Sequence, residues 1–170
     1  MQKEKILKNA TICFLVRKDE VLLAVKADKI GKGCRNGYGG GIKAGESPET
    51  AAIRELEEEA EITVSRNGLK RVAIVDFHNT TEKGVNFVCK CHIYLVRKWE
   101  GTPEETAEML DPQWFKVDNL PLDKMMPADP YWIPVILEGK KIIAKAKYGP
   151  HQKELIGEVE IREVDSLPEN

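Results

Sequence analysis

The sequence predicts an α+β domain whose sheet is mixed and largely antiparallel, with about two helices packed against it. Short apolar runs rich in β-branched residues recur along the chain and are typical of strands, whereas two stretches have the apolar spacing or the proline placement of helices. The chain has 170 residues, of which 42% are hydrophobic and 32% charged, so it can form a core of its own. At this length we expect residues 1–170 to form a single domain.

The first predicted elements are a hairpin and a glycine-rich loop. Residues 11–16 and 21–25 are apolar and β-branched, and the charged residues 17–20 between them favour a turn. The loop at residues 27–41 holds six of the thirteen glycines of the chain. Because glycine lacks a Cβ atom, such a loop lets the backbone approach a ligand closely.

A helix is predicted over residues 48–60 because three signals mark its start. Ser47 can cap the helix, Pro48 suits the first helical position and Glu49 places an acid in the first turn. Apolar residues then follow at helical spacing, and these are Ala51, Ala52, Ile53 and Leu56.

The rest of the chain indicates further strands and one more short helix. The longest predicted strand, at residues 85–96, carries apolar side chains at every other position, which predicts one continuous apolar face. That face consists of Val85, Phe87, Cys89, Cys91, Ile93 and Leu95. The other predicted elements are strands at 71–77 and 113–117, a helix at 130–137 and a closing hairpin of 141–148 with 154–164 around Gly149-Pro150.

The composition argues against several classes of partner. The net charge of −2 lacks the basic excess of a domain that binds nucleic acid. The apolar run at residues 11–16 is too short for a signal peptide or a membrane span. The four cysteines include no Cys-x-x-Cys pair, so we expect reduced thiols and no structural zinc site. We therefore expect a cytoplasmic monomer without a nucleic-acid or membrane partner.

Negative charge is concentrated in residues 46–61, which hold seven glutamates and one arginine. Glu55, Glu58 and Glu59 lie three and four residues apart, so on a helix their carboxylates project from one face. Repulsion among them, and from the negative end of the helix dipole, costs several tenths of a kcal/mol each. A divalent cation, Mg²⁺ or Mn²⁺, would offset this cost, and Arg54 could hold the carboxylates in place. A solvated acidic face is the alternative interpretation.

The spacing of these acids resembles the Nudix box, the signature motif of the MutT family. The stretch from Gly40 to Ile62 reads GGIKAGESPETAAIRELEEEAEI and matches the box at every fixed position but one. The exception is Glu61, where the box has a glycine that ends the helix in the left-handed conformation. That conformation costs a non-glycine residue roughly 1 kcal/mol, so the departure concerns the turn rather than a ligand position.

The resemblance runs from about Thr11 to Val164 and is closest to the MutT homologues that hydrolyse oxidised purine nucleoside triphosphates such as 8-oxo-dGTP. It implies the Nudix αβα sandwich, in which a loop-helix-loop metal site lies against a mixed sheet. It also implies a Mg²⁺-dependent hydrolysis of a nucleoside triphosphate to a monophosphate and pyrophosphate. The segments that carry it outside the box are CRNGYGGG, EGTPEETAEM followed by QWF, PADPYWIP and EVEIREVDSL.

The same resemblance assigns metal and catalytic roles. Either Glu55 or Glu59 would accept the proton of the attacking water, and Arg54 would support them. Glu108 could instead be a solvated loop acid, and the chain has one residue more than the family pattern directly after Met109. The implied metal ligands are the Gly39 carbonyl, Glu55, Glu58, Glu59 and Glu108.

Substrate contacts are implied for five residues before the helix. Asn36 would contact the base, although Asn36-Gly37 is also a favoured turn. Thr11 and Lys26 could equally be ordinary strand residues. The five residues are Thr11, Lys26, Asn36, Tyr38 and Gly40.

The purine pocket of the family is an aromatic residue followed two and three residues later by two aspartates, and here these positions hold Met126, Ala128 and Asp129. Asp129 could accept from a purine edge or, when protonated, donate to it, or it could begin a helix with Pro130. Met126 could pack against a base. We expect Trp132 to lie in the core.

Three basic residues in the glycine-rich loop, Lys29, Lys32 and Arg35, could attract a triphosphate or be ordinary exposed cations. The loop lacks the pattern G-x-x-x-x-G-K-[ST], which excludes a P-loop kinase or ATPase. Two alternatives stay open. One is a Nudix hydrolase of a nucleoside-diphosphate-linked substrate such as ADP-ribose or a dinucleoside polyphosphate, and the other is a non-catalytic nucleotide-binding module.

Overall fold

The computed structural model describes residues 6–80 and 86–169. Within these two stretches, runs of strands are separated by two helices, as expected of an α+β fold. The elements are β1 (Ile6–Arg17), β2 (Glu20–Lys26), β3 (Arg35–Asn36), β4 (Tyr38–Gly41), α1 (Pro48–Ala60), β5 (Leu69–Thr80), β6 (Asn86–Val96), β7 (Met109–Lys116), α2 (Asp129–Leu137), β8 (Lys141–Tyr148) and β9 (Glu160–Val164), with 3₁₀ turns at Arg66–Gly68, Leu122–Lys124 and Pro150–Gln152.

The strands form one mixed sheet in the order β3-β2-β1-β6-β5-β8-β9, with β4 paired to β1 and β7 paired to β2. Strand β1 is parallel to β6, and β5 is parallel to β8, whereas the other pairs are antiparallel. The long β1 joins two parts of the sheet, because its middle pairs with β4 while its end turns into β2. The glycine-rich segment is thereby fixed against β1.

The two helices cover opposite faces of the sheet. On one face Leu56 of α1 lies in a core with Leu15, Tyr94 and Val96. On the other face Trp132 of α2 lies in a core with residues that include Phe14, Ile93 and Leu95. This layering is the αβα sandwich that the sequence resemblance implies, and it confirms the prediction for Trp132.

Strand β6 is buried on both faces, although its sequence predicts only one apolar face. Cys91 and Ile93 point to the α2 side, while Tyr94 and Val96 point to the α1 side. The reason is its position between β1 and β5, where both faces of the sheet are covered by a helix. The predicted first residue of this strand, Val85, lies outside the described residues.

Most element predictions are confirmed, and the differences arise from strand pairing. The helices predicted at 48–60 and 130–137 form, the second starting one residue earlier. The predicted loop at 27–41 contains β3 and β4, because its glycines bring the chain into hydrogen-bonding distance of β2 and β1. The last strand begins at Glu160 rather than residue 154, since a 3₁₀ turn and a single bridge between Tyr148 and Leu155 intervene.

All four cysteines are free, as predicted, and no disulfide joins them. Cys13 and Cys91 are buried, and the other two are half-buried. In the part of the chain that the structure describes, no helix is long and apolar enough to cross a membrane.

Glu61 ends α1 in the left-handed conformation, with φ 57° and ψ 36°, as the box comparison predicts. Replacing Glu61 with Gly should raise the free energy of unfolding by about 1 kcal/mol, because glycine adopts this conformation without a Cβ clash. Urea unfolding of the metal-free protein measures the change. The matched control is Glu57→Gly inside the same helix, which should lower stability by about 1 kcal/mol. A loss of stability in Glu61→Gly would contradict this account of the helix end.

Candidate active site

Helix α1 begins where the sequence predicts and presents its acids to the sheet. The Ser47 hydroxyl accepts a hydrogen bond from the Thr50 N–H at 3.2 Å, and Pro48 is the first helical residue. The apolar side of the helix packs on β1 and β6. The acids next to this apolar side at helical spacing therefore also lie against the sheet. Glu55 and Glu59 are only 8% and 6% exposed as a result.

A third carboxylate comes from a distant part of the chain. Glu108, which directly precedes β7, is exposed, and one carboxylate oxygen of each of Glu55, Glu59 and Glu108 lies within 4.8 Å of the others. Hard oxygen ligands at this separation suit Mg²⁺ or Mn²⁺. The three residues therefore form an acidic cluster that could bind a divalent metal ion.

Within the acidic cluster, Glu59 is the residue whose pKa is clearly raised. Burial raises its pKa to about 8, and hydrogen bonding to Glu108 and the charge of Glu55 act in the same direction. The Gly39 N–H donates to the Glu59 carboxylate at 2.8 Å, and this bond, together with the charge of Lys26, opposes the rise. At neutral pH the metal-free acidic cluster therefore retains a proton that a divalent cation would replace.

Arg54 fixes the edge of the acidic cluster. Its guanidinium donates two hydrogen bonds to the Glu46 carboxylate, at 2.7 and 2.9 Å, and one to Glu55 at 2.8 Å. The Arg54 hydrogen bonds lower the pKa of Glu46 to about 2, so this acid stays ionised and holds the arginine. Glu58, in contrast, is exposed and meets Arg54 at 3.4 Å, apart from the three clustered carboxylates. Its role as a metal ligand stays a prediction.

The glycines of β4 allow the close approach of backbone and acids. A Cβ atom on Gly39 would lie 1.8 Å from the Thr11 carbonyl oxygen of β1. A Cβ atom on Gly40 would lie 2.6 Å from a carboxylate oxygen of Glu55. The backbone contact at Gly39 cannot be relieved locally, so the packing requires glycine there, whereas a Cβ atom at position 40 would force the Glu55 carboxylate to move. The Gly39 carbonyl as a ligand stays a prediction.

Two predicted substrate residues are buried next to the acidic cluster. Thr11 is 1% exposed and Tyr38 is fully buried, and among the described residues neither hydroxyl has a hydrogen-bond partner. Burial, followed by the charge of Glu59, raises the pKa of Tyr38, which keeps its hydroxyl protonated. Asn36 uses its side-chain oxygen to accept from the Gly37 N–H at 2.8 Å, which is the turn interaction that its sequence also suggested.

The remaining predicted substrate residues meet on the α2 side. The Cβ position of Gly31 lies 3.1 Å from the Met126 sulfur and 3.4 Å from the Lys26 side chain, so both line the same turn. Burial raises the pKa values of both Glu59 and Cys34, and the charge of Lys26 opposes the rise in each, so its ammonium group acts electrostatically on the acidic cluster and on the α2 side. Lys26 therefore connects the two groups of predicted residues.

Asp129 is a buried carboxyl group on this side, 3% exposed. It accepts hydrogen bonds from the Met126 N–H and the Trp132 indole N–H, both at 3.2 Å. Burial raises its pKa to about 7 in spite of these bonds. Ala128, not Asp129, occupies the N-cap position of α2, so Asp129 is the first residue of the helix rather than its cap.

The sequence carries no signal for the supporting role of Thr106 and does not predict the burial of Arg35. The Thr106 hydroxyl donates to the Glu59 carbonyl at 2.9 Å and accepts from the Met109 N–H, which ties the loop of Glu108 to α1. The sequence suggests either attraction of a triphosphate or an ordinary exposed cation for Arg35, but the residue is 7% exposed and paired with Asp111. Val25 of β2 becomes a neighbour of Arg35 only once β2 and β3 pair.

The fold and the acidic cluster agree with comparisons to known proteins. The NUDIX domain model matches residues 6–136. Relatives from Danio rerio and Mus musculus, both named oxidized purine nucleoside triphosphate hydrolase, are 35% identical over 157 residues, which is 92% of this chain and 96% of each relative. The crystal structure of a mutator MutT protein from Bacillus halodurans is 25% identical, covers 91% of this chain and 97% of its own, and superposes with a TM-score of 0.75.

The chain therefore belongs to the Nudix family. It is a MutT-like Nudix hydrolase, an enzyme that cleaves phosphoanhydride bonds.

The buried carboxyl of Asp129 should make the stability of the protein depend on pH. Its pKa of about 7 in the folded protein exceeds the ordinary value of 3.8, so its contribution is complete below about pH 4 and is lost as pH rises through 7. The slope from this one group is at most about 1.4 kcal/mol per pH unit. Urea unfolding between pH 4 and 8 should therefore give a shallower decline in Asp129→Asn than in the wild type.

The control for this experiment is Asp123→Asn, since Asp123 is exposed and near the same helix. Its pH dependence should follow the wild type. Parallel curves for the wild type and Asp129→Asn would contradict the assignment of a raised pKa to Asp129.

Proposed function

We propose that this enzyme hydrolyses nucleoside triphosphates to the monophosphate and pyrophosphate, that it depends on Mg²⁺, with Mn²⁺ as a possible substitute, and that it prefers oxidised purines such as 8-oxo-dGTP. The observation that carries the proposal is the convergence of Glu55, Glu59 and Glu108 within 4.8 Å. The names of the two relatives that are 35% identical support the choice of substrate.

The chain supplies a fitting set of metal ligands. Glu55, Glu59 and Glu108 would hold the ion, with Glu58 and the Gly39 carbonyl as further ligands from the neighbouring surface. A bound divalent ion neutralises charge on the phosphate oxygens and lowers the pKa of an attacking water. Arg54 would keep Glu55 in position, because its guanidinium is itself held by Glu46 through two hydrogen bonds.

A carboxylate of α1 would accept the proton of the attacking water. Glu55 and Glu59 are the two candidates, and each is oriented by one strong donor, Arg54 and the Gly39 N–H respectively. Both carboxylates are shielded from bulk water, so a proton transfer to either would be directed by the site rather than by solvent.

The substrate would extend from the acidic cluster to the α2 side. Lys26, which acts electrostatically on both, would contact the phosphate chain, with Thr11, Tyr38 and Gly40 close to it. The base would lie near Asn36, Met126 and Asp129. Because the pKa of Asp129 is about 7, its carboxyl is available near neutral pH both as an acceptor and as a donor to a purine edge.

A second candidate substrate is a nucleoside diphosphate linked to a sugar or to another nucleotide. The observation that favours it is Ala128, which is fully buried and offers no second carboxylate beside Asp129.

A non-catalytic module is disfavoured because all three clustered acids are present. We also propose a cytoplasmic monomer without a nucleic-acid or membrane partner. The free cysteines support a cytoplasmic location, and the net charge of −2 argues against a nucleic-acid partner.

Formation of nucleotide products tests this function, measured with and without Mg²⁺ on normal dNTPs, 8-oxo-dGTP, 2-hydroxy-dATP, ADP-ribose and a dinucleoside polyphosphate. Pyrophosphate is measured as well for the triphosphates, because the two diphosphate-linked compounds release none. We expect the highest kcat/KM for an oxidised purine triphosphate, and we expect no turnover of any compound without a divalent ion. Glu59→Gln should lower kcat by about 10²- to 10⁴-fold because it removes a ligand and a candidate base. Glu57→Gln, an exposed acid of the same helix, is the matched control and should retain activity.

Other outcomes have distinct meanings. Turnover of only the diphosphate-linked compounds would keep the chemistry and overturn the proposed substrate. No turnover of any compound by a folded, metal-loaded protein would overturn the catalytic proposal.

A further inference from the structure

Strand β7 contains an extra residue opposite β2. Leu23 pairs with Gln113 and Val25 pairs with Leu110, so a step of two residues in β2 faces a step of three in β7. The irregular position is Asp111, whose φ of 47° is in the left-handed region. This is a β-bulge, and it lies where the sequence has one residue more than the family pattern.

Arg35 holds both sides of this bulge. Its guanidinium donates to the Leu23 carbonyl of β2 at 3.1 Å, to the Asp111 carbonyl of β7, and to the Asp111 carboxylate at 2.7 Å. The Asp111 N–H in turn donates to the Glu105 carboxylate at 2.8 Å. Three backbone groups at the bulge are therefore hydrogen-bonded by side chains, the Asp111 N–H by Glu105 and the Leu23 and Asp111 carbonyls by Arg35, which is 7% exposed.

The bulge decides where Glu108 lies. An extra residue that is not absorbed locally shifts a strand by one position and turns its side chains to the opposite face. Here the bulge absorbs the extra residue, and the pairing is regular again between the bulge and Glu108. Met109 is paired with Lys26, and the Ala27 N–H donates to the Glu108 carbonyl at 3.0 Å.

We propose that Arg35 and Asp111 are positioning residues that lock the β7 bulge and thereby place the Glu108 carboxylate beside Glu55 and Glu59. This inference rests on the proposed metal site. It assigns to Arg35 a role inside the fold rather than the attraction of a triphosphate, since its guanidinium is buried and occupied by backbone and carboxylate acceptors. Arg35 acts on the metal site only through Glu108.

A double-mutant cycle on Mn²⁺ binding tests the inference. Isothermal titration calorimetry gives the Mn²⁺ affinity of metal-free wild type, Arg35→Met, Glu108→Gln and the double variant, without nucleotide. Each single variant should weaken binding by about 10-fold, as loss of supporting interactions at metal sites does. The double variant should bind no more weakly than Glu108→Gln, because Arg35 has no effect once Glu108 is removed as a ligand.

Two further variants keep the test decisive if Arg35→Met does not fold. Asp111→Asn removes the charge of the ion pair at a side chain that is 57% exposed, and asparagine tolerates the positive φ. One of the two carboxylate oxygens that accept from the Gln113 amide is kept as the asparagine oxygen. It should weaken Mn²⁺ binding in the wild-type background and not in the Glu108→Gln background. Lys116→Met is the matched control, since Lys116 lies on β7 as Asp111 does and forms an exposed ion pair of 2.9 Å with Asp19. This variant should bind Mn²⁺ as the wild type does.

The result separates this inference from the proposed function. Unchanged Mn²⁺ affinity in folded Arg35→Met and Asp111→Asn, or losses that add to that of Glu108→Gln, would overturn the positioning role while leaving a wild type that binds metal and hydrolyses nucleotide. A wild type that binds no Mn²⁺ would overturn the metal site and the inference together.

Discussion

The burial of two glutamates of one helix against the backbone of a glycine-rich strand is the constraint on which the site depends. Glu55 and Glu59 lie in the second half of α1, where the helix dipole and their mutual repulsion oppose negative charge. Burial adds a further cost to each charge. The chain offsets this cost with a few strong donors, above all the Arg54 guanidinium and the Gly39 N–H. The helix is less stable than its apolar packing alone would make it, and its oxygen ligands are held in fixed places.

The sheet explains how acids from separate segments come together. Strand β1 pairs with β4, which carries Gly39, and continues into β2, which pairs with the strand that follows Glu108. The hairpin of β1 and β2 therefore fixes both the backbone under α1 and the loop opposite it. Thr106 closes the arrangement by linking that loop to the last turn of α1. On the other face, α2 brings Asp129 to the end of β2, and Lys26 connects the two sides electrostatically.

Local signals were sufficient to predict the helices and the acid face. Ser47, Pro48 and the spacing of Glu55 and Glu59 act within one or two helical turns, so the sequence reveals them directly. Other features depend on residues far apart in sequence, so the spacing of residues along the chain does not predict them. These features are the pairing of β3 and β4, the burial of Arg35 and the contact between Glu108 and α1. Glu108 was identified only through the family resemblance. Glu58 has the same spacing signal as Glu59, yet one lies exposed and the other buried, because the helix rotation relative to the sheet is set by tertiary packing.

The central claim is that Glu55, Glu59 and Glu108 together form the divalent-metal site of this hydrolase. The most direct measurement is an anomalous difference map from crystals of the protein grown with Mn²⁺. We predict the strongest peak between these three carboxylates, within bonding distance of at least one oxygen of each. A peak confined to the exposed surface of α1 around Glu57 and Glu58, or no peak in a protein that hydrolyses nucleotides with Mn²⁺, would contradict the account.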